Sequence, residues 1–238
     1  MDYLFPLTDR QEVADQTMEF TFDTTGSEYN FKPGQHADYT LIDPPQTDAE
    51  GDLRTFSFVN APGEGRIKFA TRMRDTAFKN SLKTIPLATI VKVKDPAGRM
   101  TLHKDEDKGA VFLVGGIGIT PFMSILREVA ATGQNRKITL IYSNKNEASA
   151  AYYQELHQLE TDLPNFEFIP SFTNDHPVGW QGETGRIVEA MIKKYVDDPL
   201  EAVFYTAGPP GMVSAIIKTI EGLGVPDEQI RSEDFDGY

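Results

Sequence analysis

The chain has no cysteine. That absence excludes disulfides, cysteine–zinc sites, a thiol nucleophile and a cysteine-ligated iron–sulfur cluster within these 238 residues. Histidine is scarce too: His36, His103, His157 and His176 stand apart, without the spacing of a metal-ligand set. Each reads as a hydrogen-bonded or surface residue. Long apolar runs are missing, since Ala110–Val114, leading into Gly115-Gly116, is far too short to cross a bilayer. The opening Met1-Asp2-Tyr3-Leu4-Phe5-Pro6 has neither the cationic start nor the apolar stretch of a signal peptide. The expectation is a cytoplasmic protein with no membrane partner.

Positive charge is the next scarcity, and it is unevenly placed. The net charge is −13, yet residues 54–104 carry +8 between flanks of −10 and −11. A basic island in an acidic chain can attract pyrophosphate or an acidic protein partner. It can equally be the solvated face of β-strands. The acidic remainder would repel nucleic acid, so no nucleic-acid partner is expected.

What is present divides into two halves, with a boundary predicted at 107/108. In the first, apolar residues alternate through Met18, Phe20 and Phe22 and again through Ala37, Tyr39 and Leu41. Turn signals at Thr25-Gly26, Lys32-Pro33-Gly34, Asp43-Pro44-Pro45 and Ala61-Pro62-Gly63 separate the runs. Further strands are predicted over 55–60, 67–72 and 90–94, with one short helix over 77–83. Together they suggest a small antiparallel barrel. The charged stretch Lys104–Lys108 reads as a linker. Beyond it, strands over 110–114, 137–142, 166–170 and 202–206 alternate with helices over 121–131, 147–160, 187–195 and 210–222. That rhythm predicts a parallel sheet wrapped by helices.

Two glycine-rich turns join strand to helix in the second half: Gly115-Gly116-Ile117-Gly118-Ile119-Thr120-Pro121 and Gly208-Pro209-Pro210-Gly211-Met212. Glycines permit a tight turn and close approach of a ligand, and the following helix N-terminus offers N–H groups to a phosphate. A turn of this kind can also serve packing alone. Pro121 stands where the usual dinucleotide fingerprint has its third glycine. Two such turns on one sheet would both lie at carboxyl ends of strands, where ligands bind. In the first half, alternation places Arg54 and Phe56 on one face of a strand, Arg54 suited to a pyrophosphate and Phe56 to a flat heterocycle.

These blocks resemble the ferredoxin–NADP(+) reductase superfamily along nearly the whole chain. Phe31–Gln35, Arg54-Thr55-Phe56-Ser57, Gly115–Pro121, Gly208–Met212 and Ser232-Glu233-Asp234-Phe235 fall in that family's order. The ending Glu233–Tyr238 is similar to a group of stand-alone FAD-binding reductases. The resemblance implies an FAD-binding barrel over 1–107 and a nicotinamide dinucleotide domain over 108–238, whose tail returns to the flavin. It implies that Arg54 contacts the FAD pyrophosphate, Phe56 packs on the isoalloxazine and Ser57 lies near flavin N5. Thr55, Thr71, Arg72, Thr76, Ala77 and Phe78 belong to the flavin segments. Gly115, Gly116, Gly118, Thr120 and Pro121, with Gly208, Pro209 and Met212, would line the nicotinamide site. Glu233 and Phe235 would lie at the nicotinamide side of the flavin, Tyr238 would be a cofactor-binding residue, and Ser57, Glu233 and Phe235 would be the catalytic set. Three positions depart from the family pattern: Phe56 replaces tyrosine, Ala77 a glycine, and Ala207 a cysteine near the hydride-transfer position.

The implied activity is hydride transfer from NADH or NADPH to FAD, then electron release to ferredoxin, a flavodoxin-like protein, free flavin or another small acceptor. NADH is favoured because Ser143-Asn144-Lys145 offers one cation for a 2′-phosphate and Ser171–Asp175 none. The basic island suits an acidic electron-transfer protein, through Arg66, Lys68, Arg72, Arg74, Lys79 and Lys83. The alternative is a non-catalytic electron-relay subunit of a larger complex. A flavin-free dehydrogenase ranks last, because it leaves the barrel half unexplained.

Overall fold

The computed structural model describes residues 1–235, which form two compact units. The first comprises Met1–Thr101 with Thr120–Glu128, and the second Leu102–Ile119 with the chain from Val129 onward.

The first unit is a six-stranded antiparallel sheet in the order β4-β3-β6-β1-β2-β5. Its strands are β1 (Asp2–Ala14), β2 (Thr17–Asp23), β3 (His36–Leu41), β4 (Leu53–Ser57), β5 (Arg66–Arg72) and β6 (Ile90–Lys94). β1 pairs with β6 through Asp2–Pro6 and with β2 from Leu7 onward, and the register shifts between Leu7 and Asp9. A break of this kind bends a strand and curls its sheet. The curl is closed where Phe58 bridges Phe69 and the Val59 N–H donates to the Lys68 carbonyl at 3.0 Å. The core is aromatic: Phe20, Phe22, Tyr39, Phe58, Phe69 and Phe78 are fully buried. Phe69 stacks on Phe56 at 4.1 Å and packs on Tyr39 at 4.5 Å.

Alternation along β2 predicts one wet face, yet Glu19 is only 1% exposed. The start of α2 (Thr120–Thr132) supplies the cover. Arg127 donates to the Val59 carbonyl at 2.7 Å, Ser124 to the Asn60 carbonyl at 2.7 Å, and Lys68 Nζ lies 2.9 Å from the Glu19 carboxylate. A buried carboxylate needs such partners.

The second unit is a six-stranded parallel sheet in the order β10-β9-β8-β7-β11-β12. Its strands are β7 (Gly109–Gly115), β8 (Ile138–Asn144), β9 (Phe166–Phe172), β10 (Glu183–Thr184), β11 (Ala202–Gly208) and β12 (Ile230–Asp234). The intervening helices are α3 (Tyr153–Asp162), α4 (Glu189–Tyr195) and α5 (Pro210–Gly222). The strands are apolar runs, as parallel strands covered on both faces must be. The barrel and the parallel sheet are the two architectures the sequence predicts. One predicted helix is broken: Asn146 and Ser149 cap a short 3-10 turn over Glu147–Ser149, and Tyr152 follows at φ 61°. A left-handed residue cannot continue an α-helix, so α3 starts only at Tyr153.

Two measurements check this account. Phe69→Ala should cost about 3–5 kcal/mol in urea unfolding, because several rings lose their partner. His103, in the second unit, lies 2.8 Å from the Tyr205 hydroxyl through Nδ1 and 2.7 Å from Arg136 through Nε2. Burial first, then the positive charge of Arg136 and Arg231, lower its pKa from 6.5, against the opposing Lys108 carbonyl and Asp105. The stability this contributes is present above pH 6.5 and is lost as pH falls through the depressed folded value. Equilibrium unfolding from pH 7.5 to 4.5 should show that loss in the wild type, and His103→Gln should flatten it.

Candidate functional site

On the barrel, β4 places Arg54 and Phe56 on one face, as its alternation predicts: the Arg54 guanidinium sits 5.4 Å over the Phe78 ring, and Phe56 lies 5.9 Å from the same ring. Thr55 points the other way and bonds Asp38 at 2.6 Å. Ser57 is buried, and its hydroxyl has no hydrogen-bond partner among the described residues. β5 ends in Thr71, which is buried, and Arg72, whose carbonyl accepts from Lys79 Nζ at 2.8 Å. Thr76 caps α1 (Ala77–Thr84), accepting from the Lys79 N–H at 3.4 Å. Burial and the neighbouring Arg74, Arg54 and Arg72 push the Lys79 pKa down to about 8.

This corner attracts anions, and the chain itself supplies two. Asp48 accepts from the Ala77 N–H at 3.1 Å and lies 3.7 Å from Arg54, while Glu50 meets Arg54 at 2.8 Å. Both carboxylates come from the loop between β3 and β4, which sequence pattern gave no reason to single out.

The basic island is less free than its composition implies. Arg66 is paired with Glu64, Lys68 with Glu19, and Lys79 is turned inward onto a carbonyl. Arg72, Arg74 and Lys83 face no carboxylate within 4 Å among the described residues.

In the parallel sheet, β7 lies between β8 and β11, so successive strands are added on opposite sides of it. That makes the β7–β11 crevice the topological switch point, where ligands bind in open α/β sheets. Both glycine turns are there. They are packed against one another: a Cβ on Gly118 would stand 2.2 Å from the Ala207 carbonyl oxygen, and one on Gly115 2.2 Å from the Met212 sulfur. Gly208, at φ 151°, likewise approaches Met212 and Gly115. Packing therefore accounts for these three glycines. Gly116 is different: at φ 54° it has nothing within 4 Å of where a Cβ would be. Gly116–Ile119 forms a 3-10 turn, Thr120 and Pro121 begin α2, and the N-cap residue Ile119 brings no capping side chain of its own. Pro209 precedes α5, also without a side-chain cap.

Three further polar groups on this sheet carry almost no sequence signal. Thr206 and both polar atoms of the Asn144 side chain are buried without a hydrogen-bond partner among the described residues. Their one mark is a polar residue within an apolar strand, for Thr206, or closing one, for Asn144. The chain's closing segment is β12, pairing Glu233 with Ala207 and Asp234 with Gly208, and the Phe235 N–H donates to the Gly208 carbonyl at 3.0 Å. Tyr238 lies outside the described residues. Ala207 is fully buried between β7 and β12.

An antiparallel barrel bearing an arginine–aromatic strand and a parallel sheet carrying glycine turns at its switch point make a two-domain architecture with a candidate site on each domain. Residues 112–218 match the family described as oxidoreductase NAD-binding domain. Curated relatives include a subunit of the Na(+)-translocating NADH-quinone reductase of Pseudomonas aeruginosa (strain UCBPP-PA14), 31% identical over 199 residues, covering 78% of this chain and 49% of that one. The chain thus spans about half the length of such relatives. Among solved structures, a ferredoxin NADP+ reductase from Neisseria gonorrhoeae with bound FAD and NADP superposes with TM-score 0.81 at 19% identity, covering 98% of each chain. The flavohem-like FAD/NAD binding domain of nitric oxide dioxygenase from Vibrio cholerae gives 0.82 at 19%, again over 98% of each. At 19% identity these superpositions show that the chain shares the two-domain fold of those structures.

The glycines separate in a direct test. Gly118→Ala should destabilise by about 3 kcal/mol or more, since the clash is with backbone that cannot swing aside. Gly116→Ala should cost about 1–2 kcal/mol from its left-handed conformation alone, with no packing loss. Thermal unfolding that ranks Gly116→Ala as the worse of the two would contradict the assignment.

Proposed function

We propose that the chain is a flavin-dependent NAD(P)H oxidoreductase module, binding FAD on its barrel and a nicotinamide dinucleotide on its parallel sheet. The observation that carries this reading is the anion-accepting corner formed by Arg54 and the α1 N-terminus beside Phe56 on β4. FAD fits it: a diphosphate presents the charge that Asp48 and Glu50 place there, Phe56 is a half-buried aromatic, and the Ser57 hydroxyl is an orphaned polar group. On the parallel sheet, Gly116, left-handed just after β7, has open space for a dinucleotide phosphate.

The bound cofactors would supply the redox chemistry, hydride transfer from the nicotinamide to the flavin, so no acid–base triad is required of the protein. Arg54 and the Ala77 N–H hold the pyrophosphate. Phe56 would pack against the isoalloxazine, and the Ser57 hydroxyl would offer it a hydrogen bond. Gly116 lets the backbone approach the second dinucleotide. Glu233 and Phe235, carried beside Ala207 and Gly208 by β12, order the nicotinamide end. Positioning of this kind accounts for a large share of such rates.

The relatives that are subunits of a Na(+)-translocating NADH-quinone reductase favour NADH as donor. They also favour a second reading, in which the chain passes electrons within a larger complex. Otherwise the acceptor is a separate ferredoxin, a flavodoxin-like protein or free flavin, with Arg72, Arg74 and Lys83 facing an acidic partner.

A visible spectrum of the purified protein, followed by anaerobic NADH and, separately, NADPH, tests the proposal. Flavin absorbance that NADH bleaches faster than NADPH is the expected result. Absence of flavin binding after incubation with FAD would sink it. Arg54→Ala should weaken FAD binding about ten- to hundredfold, from the loss of charge-assisted hydrogen bonds worth roughly 1.5–3 kcal/mol.

A further inference from the structure

The loop Ile42–Asp52 does more than join β3 to β4. Its first part is anchored on α1, where Gln46 exchanges two hydrogen bonds with Ser81: Gln46 N–H to Ser81 Oγ at 3.1 Å and Ser81 Oγ to the Gln46 carbonyl at 3.0 Å. The part after Gln46 is exposed and turns back over Arg54. Asp48 organises that turn, accepting the Glu50 N–H at 3.0 Å through its side chain and the Gly51 N–H at 3.0 Å through its carbonyl. The Arg54 guanidinium is then consumed locally. Nη1 donates to the carbonyls of Glu50, Gly51 and Leu53, and Nη2 to the Glu50 carboxylate. The second Asp48 oxygen takes the Ala77 N–H.

From these contacts we infer that Asp48 and Glu50 are a built-in competitor for the dinucleotide pyrophosphate, and that this acidic loop sets the affinity of the barrel for its cofactor. The inference rests on the proposed FAD site. A pyrophosphate and the two carboxylates demand the same donors, Arg54 and the Ala77 N–H, and like charges cannot share them at hydrogen-bonding distance. Binding must therefore displace the segment after Gln46, while the Gln46–Ser81 anchor keeps the loop close. Cationic Arg72, Arg74 and Lys79 surround the same corner from β5, the turn after it and α1, and favour either occupant. The loop thus subtracts from cofactor affinity without blocking the site, and the bound flavin is exchangeable.

The test compares wild type, the double variant Asp48→Asn/Glu50→Gln, and Asp52→Asn. The amides keep the turn's acceptors. Asp52 lies on the same loop, and its side chain makes no hydrogen bond or ion pair with Arg54, so its replacement controls for charge alone. Binding of FAD and, separately, of inorganic pyrophosphate is measured by titration calorimetry, after circular dichroism confirms that each variant is folded. The double variant should bind both about tenfold tighter than wild type, with Asp52→Asn within about twofold of wild type. Equal or weaker binding by the double variant, or an equal gain from Asp52→Asn, overturns the inference. Tighter pyrophosphate binding without any FAD binding would leave the inference standing and remove the flavin reading on which the proposed function depends.

Discussion

The second unit depends on a steric constraint: the backbone at Gly118 meets the backbone at Ala207 with no room for a side chain between them. β7 and β11 are adjacent parallel strands, and each leads into a glycine turn at its carboxyl end. With Gly115 against Met212 and Gly118 against Ala207, the two turns become one packed body. Glycine-rich segments are usually read as ligand cradles. Here Gly115, Gly118 and Gly208 make the cradle's wall, while Gly116 and Gly211 leave space in front of it. A rigid wall matters for a site whose work is positioning, because a dinucleotide held by backbone needs that backbone fixed.

The barrel meets a comparable demand with aromatic rings. Phe56 lies flat on Phe69, with 3° between the planes, so a ring half-buried on β4 is held by one fully buried on β5. Phe78, the second residue of α1, touches both Phe56 and the Arg54 guanidinium. Cation, ring and helix N-terminus are therefore set by one shared contact, and a shift of α1 would move all three. The phenyl ring of Phe56 fits this setting, since its stacking partner is another phenyl ring. The Tyr39 hydroxyl, buried nearby without a partner among the described residues, already strains the polar accounting of the core.

Legibility followed physical range. Strand alternation, glycine turns and the βα rhythm are local signals, and they place most strands of both sheets and most helices, though neither β1 nor β10. Burial created by a distant segment was invisible. Glu19 lies between Met18 and Phe20 on an alternating strand and reads as solvent-facing, but residues from α2, about a hundred positions later, cover it. β12 was hidden because Ile230–Asp234 is polar and gains its strand character by pairing with β11. The break before α3 was hidden for the opposite reason, as a single left-handed tyrosine leaves no mark on helical periodicity. For the site, residue types located the cation and the ring, while the partners of the cation could not be read at all.

Those partners change what the charge distribution means. A +8 segment between acidic flanks reads as a surface held ready for an anion. In the folded barrel much of that charge is answered from within: Glu19 takes Lys68, Glu64 takes Arg66, and Asp48 and Glu50 take Arg54. The first pair differs from the last. Glu19 is fully buried beneath the start of α2, so breaking its pair would strand a charge away from water. Asp48 and Glu50 sit at the surface on a loop, where ion pairs contribute little to folding and can be given up at small cost. The same electrostatic rule thus builds a permanent clamp at one end of the basic segment and a displaceable one at the other. Depth of burial, rather than sign of charge, distinguishes the cations that hold the fold from the one left to negotiate with a ligand.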